Sequence, residues 1–131
     1  MIQKEFIPYE EALALKELGF DDPCFTHYLN SVLLKNSLVV NKREINSCFD
    51  QIRVAAPLYQ QAFRWFRENF SVFVSPNVIS YSDGPRLWFF ELNSSVLSFG
   101  TDLGETDDYV RFEEAELAAL RKLIKIAKDQ K

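Results

Sequence analysis

The stretch QQAFRWFRENF, residues 60–70, holds four aromatic rings and two arginines in eleven positions. Rings interleaved with guanidiniums can form a nucleic-acid surface, with bases stacked on the rings and phosphates held by the cations. The same residues can instead be one face of a core helix whose arginines point to water. At 100° per residue, Leu58, Tyr59, Ala62, Phe63, Trp65, Phe66 and Phe70 fall within an arc of roughly 160°. Gln60, Gln61, Arg64, Arg67 and Glu68 fall opposite. A stacking surface needs rings and cations on one side, and here they are segregated. The pattern predicts a core-facing helix opened by Pro57, with Trp65 at the edge of its apolar arc.

The residues downstream read as strands. SVFVSPNVISY (71–81) and RLWFFEL (86–92) flank a Ser82-Asp83-Gly84-Pro85 turn signal. Alternation puts Leu87 and Phe89 on one face of the second run and Trp88, Phe90 and Leu92 on the other. Apolar residues on both faces predict a central strand, or a face that something else covers. Pro76 cannot donate to a ladder, so it predicts an edge strand or a bulge. NSSVLSFGTDLGETDDYV (93–110) reads as a turn-rich connection with room for one short strand, at VLSF or DYV. FEEAELAALRKLIKIAKDQK (112–131) then reads as a helix. Phe112, Ala115, Ala119, Leu120, Leu123, Ile126 and Ala127 form its apolar face, which Leu117 and Ile124 widen. Glutamates at its start and basic residues toward its end complement the helix dipole.

Upstream, PYEEALALKEL (8–18) predicts a helix begun at Pro8. Gly19-Phe20 predicts a Schellman stop, with Gly19 left-handed and Phe20 folded back onto Leu15. CFTHYL (24–29), Asn30-Ser31 and VLLKNSLVV (32–40) read as a hairpin. Residues 41–56 carry little pattern, apart from a short strand at QIRVAA (51–56). The order is α-β-β-α-β-β-α. Neighbouring strands joined by short turns predict a mainly antiparallel sheet of four to five strands with three helices, an α+β fold. With 131 residues, one domain spanning 1–131 is expected.

The chain carries 15 Lys+Arg against 19 Asp+Glu, a net charge of −4. That balance disfavours duplex DNA, whose affinity comes largely from basic residues neutralising phosphates. Its 12 phenylalanines can build a core without metal or disulfide. Cys24 and Cys48 are too few for a disulfide scaffold. With no secretory segment at the N-terminus and apolar runs far shorter than the roughly 20 residues of a membrane span, the expected setting is the cytoplasm.

Candidate chemistries are sparse. His27, the single histidine, lies three positions from Cys24, so in a strand the two side chains point to opposite faces. No second pair completes a metal's ligands. The acidic stretch 102–108 lacks the alternating ligand spacing of an EF-hand. No phosphate-cradling glycine motif, nucleophile elbow or zinc-protease motif occurs, so no catalytic residue, metal site or cofactor is assigned and a non-enzymatic protein is expected. What remains is apolar surface. The two-sided strand and the broad last helix offer more of it than one monomer needs, and large apolar patches mark partners. The expected interaction surface comprises Trp88, Phe90, Leu117, Ile124 and Trp65. The expected partner is a second copy in a homodimer, or another protein. The alternative is single-stranded nucleic acid stacked on sheet aromatics Phe73, Tyr81, Trp88 and Phe90, although the RRM's RNP1 pattern is absent.

The blocks FIPYEEALALKELGFDDPC, APLYQQAFRWFRENF and FEEAELAALRKLIKIAK together resemble a group of small bacterial proteins of unknown function, often associated with prophages or other mobile elements. The resemblance implies a small cytoplasmic protein and assigns no site residues. The sequence departs from the group at Arg111, where a capping Ser or Thr often precedes the aromatic-Glu-Glu start of the last helix.

Overall fold

A computed structural model describes residues 5–33, 45–48, 53–80, 82–94 and 101–129. The chain forms two compact units, Met1–Ala62 and Phe63–Lys131. Among the described residues there are three α-helices and two three-stranded antiparallel sheets. The α+β class and the antiparallel pairing are those expected. The strands among the described residues number six, shared between two sheets, rather than four to five in one.

In the first unit, α1 (Tyr9–Leu18) starts one residue after Pro8, whose carbonyl accepts the first helical bond from Ala12 N–H at 2.9 Å. Its end is the expected Schellman motif. Gly19 sits at φ 103°, Phe20 N–H reaches Leu15 O at 2.9 Å, and Gly19 N–H reaches Lys16 O at 3.1 Å. These bonds satisfy carbonyls that a helix end would leave orphaned. The face bearing Ala12, Leu15 and Leu18 is buried.

The hairpin is β1 (Thr26–Leu29) and β2 (Val32–Leu33), antiparallel through Tyr28↔Leu33 and Leu29↔Val32. Asn30 and Ser31 stand at φ 52° and 67°, the left-handed pair that a type I′ turn requires. The strand read in QIRVAA is β3 (Arg53–Ala56). It pairs with β1, not with the later strands, giving the order β2-β1-β3.

Asn46, 7% exposed in a 3-10 turn over Asn46–Cys48, ties this unit together. Its amide nitrogen donates to Phe20 O at 2.8 Å, and its amide oxygen accepts from Ala55 N–H at 2.8 Å. Ser47 N–H adds a bond to an Asp21 carboxylate oxygen at 2.6 Å. Tyr28 donates its hydroxyl to Ile7 O at 2.7 Å. Burial, and then the negative charge of Glu11, push that phenol's pKa up.

Helix α2 (Tyr59–Phe70) begins in the first unit and ends in the second. Leu58 is its N-cap, its carbonyl accepting from Ala62 N–H at 3.0 Å. Gln61 reaches back to take the Leu58 N–H at 2.9 Å, the returning half of a capping box. Rings and guanidiniums part along this helix. Phe63 and Phe66 are buried at 8% and 0% exposure, whereas Arg64 and Arg67 are exposed. Ser71, at φ 57°, then turns the chain into the second sheet.

That sheet has the order β4-β5-β6, from β4 (Val72–Ser80), β5 (Arg86–Ser94) and β6 (Thr101–Glu105). β5 is central, as its two-sided apolar pattern predicts, and β4 is an edge strand. β6 lies between the two segments expected to hold an extra strand. VLSF lies outside the described residues, and DYV contributes an isolated bridge from Tyr109 to Trp88. The pairing of β5 with β6 slips between Glu91 and Asn93, next to Gly104 at φ 99°, an arrangement of bulge type. Helix α3 (Phe112–Asp129) packs against β5 and buries Ala115, Ala119, Leu120, Leu123 and Ala127. Arg111 precedes it and supplies the carbonyl that Ala115 N–H reaches at 3.3 Å.

Candidate interaction surface

The two faces of the second sheet follow from its register. Pro76 lies opposite Phe90, Val78 opposite Trp88 and Val74 opposite Leu92. Residues directly opposite share a face. The inner face therefore holds Val72, Val74, Pro76, Val78, Trp88, Phe90 and Leu92. Phe112, at the start of α3, covers it at the tryptophan. Its ring meets Trp88 at 5.2 Å and 85°, and Phe90 at 5.6 Å. Phe63 of α2 meets Phe90 at 6.0 Å. Edge-to-face and tilted contacts at these separations are favourable beyond their area.

The outer face carries Phe73, Ser75, Asn77 and Ile79 from β4, with Leu87, Phe89, Glu91 and Asn93 from β5. Phe73, Ile79, Leu87 and Phe89 are half-buried. Ile79 pairs with Leu87, so with the neighbouring Phe89 the hairpin end is apolar. Toward the opposite end Glu91 lies directly across from Glu105 of β6, and both are exposed. Like charges in that relation repel. The outer face thus runs from an apolar end to an acidic one.

The proline on β4 is placed by the same register. Phe90 N–H donates to Thr106 Oγ1 at 2.9 Å, and Phe90 O accepts from Thr106 N–H at 2.9 Å. The backbone groups of Phe90 are thus turned away from β4, and Pro76 opposite it shares no ladder bond. The N–H that Pro76 lacks would point out of the sheet's edge. This is where a proline costs a sheet nothing and where it discourages a further strand.

The five residues expected to form an interaction surface do not lie on one exposed patch. Phe90, Ile124 and Trp65 are buried at 2%, 7% and 6% exposure. Trp65 sits among rings of its own helix, 5.1 Å from Phe66 and 5.4 Å from Phe70. Its place at the edge of the apolar arc understated how far neighbouring rings enclose it. Trp88 and Leu117 are half-buried. Of the aromatics considered for stacking nucleic acid, Trp88 and Phe90 are engaged with Phe112, Phe73 lies on the outer face, and Tyr81 is outside the described residues. Reasoning from the sequence placed Leu87 and Phe89 on a face of their own. It did not single that face out, because the face covered by a helix cannot be told from the other by alternation.

Other candidate chemistry is dispersed. His27 is buried in β1 opposite Ala55. Cys24 is a fully buried thiol whose Sγ lies 3.5 Å from Asp22 O, and it precedes the strand. Among the described residues no three His, Cys, Asp or Glu side chains are placed to hold a metal ion, and no helix is long and apolar enough to cross a membrane. Buried side-chain polar atoms among these residues all have hydrogen-bond partners. A shallow depression of about 250 Å³ is lined by Glu105, Thr106, Asp107, Tyr109, Ala118 and Lys122. Its lysine is already committed, donating to Glu105 O at 2.8 Å. No protein-family model matches the chain, and no curated protein or solved structure is detectably similar to it.

Proposed function

We propose that this protein is a non-enzymatic interaction module that pairs with a second copy of itself through the outer face of the β4–β5 hairpin. One observation carries the reading. The central strand β5 is apolar on both faces; rings of α2 and α3 meet the face of Phe90 and Trp88, while Leu87 and Phe89 on the other face stay half-buried. A strand of that composition is stable when both faces are covered. Phe73, Ile79, Leu87 and Phe89 are the residues that a partner would cover. Single-stranded nucleic acid fits this face less well, since Glu91 and Glu105 would repel its phosphates.

Size-exclusion chromatography with light scattering, run across a concentration series, tests the proposal. The expected result is a dimer at micromolar concentration that Phe89→Asp or Leu87→Asp converts to a folded monomer. A protein that stays monomeric at all concentrations overturns it. So does a dimer that both variants leave intact. Salt-sensitive binding of single-stranded RNA that is lost on Trp88→Ala would favour the stacking reading instead.

A further inference from the structure

We draw no further inference here: the strongest candidate, the outer edge of β4 with Val78 47% exposed beside Pro76, adjoins the hairpin surface already described, and nothing among the described residues shows what covers it.

Discussion

Replacing Asn46 by alanine tests whether one amide organises the first unit. The side chain joins two buried backbone groups, Ala55 N–H and Phe20 C=O, each at 2.8 Å. Ala55 is 0% exposed and Phe20 1%, so water is poorly placed to replace the amide. A buried group stripped of its partner costs about 1–3 kcal/mol. The carbonyl, with two lone pairs, should sit at the low end of that range and the N–H higher. The expected loss is therefore about 3 kcal/mol, a large share of the 5–15 kcal/mol typical of a whole domain. Urea unfolding followed by far-ultraviolet circular dichroism measures it.

Asn46→Asp sharpens the test. Its protonated carboxyl can still donate to Phe20 O, whereas its ionised form sets a negative oxygen against that carbonyl. Folding thus favours the neutral acid, and the carboxyl's pKa in the folded state is raised above its unfolded value of about 3.9. With that sign, the variant's stability relative to the parent is retained below about pH 4 and falls as pH rises through the folded-state pKa. Should Asn46→Ala cost less than about 0.5 kcal/mol, within the range of ordinary surface substitutions, the organising role is refuted. An Asn46→Asp deficit that does not change with pH would refute the donor assignment.

Three further predictions follow from single contacts. Tyr28→Phe leaves the fully buried Ile7 residue without its hydroxyl donor and should cost about 1–2 kcal/mol. The raised pKa of Tyr28 stabilises the fold below about pH 10, a contribution lost as pH rises through the folded-state value. Alkaline unfolding of the phenylalanine variant should lack that component, and identical pH profiles would refute the assignment. Gly104→Ala places a methyl group at φ 99° and 3.0 Å from Lys122 Nζ. The mobile ammonium can yield but the backbone cannot, so about 1–2 kcal/mol should be lost. An equal loss in a Lys122→Ala background would identify backbone strain as the cause, and a loss that vanishes there would identify the ammonium. Pro76→Thr restores an outward N–H at the middle of β4 and should increase light scattering on concentration with little change in unfolding midpoint. Unchanged scattering would show that the proline does not guard this edge.

Much of the fold was legible where chemistry is local. Segregation of rings from arginines placed the buried side of α2. Gly19-Phe20 marked the end of α1, and the two-sided β5 announced a central strand. The choice of partner was not legible. β3 is four residues of short-range pattern, and nothing in RVAA says that it pairs with β1 instead of joining the later hairpin. Pairing is decided by register and burial over long sequence separations. Thr101–Glu105, TDLGE, is a poor strand by propensity and is a strand because β5 offers it a ladder. The Asn46 clip lies in a polar, unperiodic stretch, where a buried asparagine and a solvated one look alike. Gln61, three residues after Leu58, was a readable capping signal hidden by the aromatic pattern around it. At the candidate surface, alternation separated Leu87 and Phe89 from Trp88 and Phe90, but only the position of Phe112 distinguishes the covered side.

Both of the chain's tryptophans, Trp65 and Trp88, fall in the unit Phe63–Lys131, whereas Met1–Ala62 has tyrosines alone, at positions 9, 28 and 59. Selectively excited indole emission therefore reports on the unit Phe63–Lys131, since the other unit carries no tryptophan. A melting curve recorded by that emission and one recorded by peptide absorbance will coincide only if the halves unfold together. Nature has left this molecule with a built-in optical label for asking whether its cooperativity is shared.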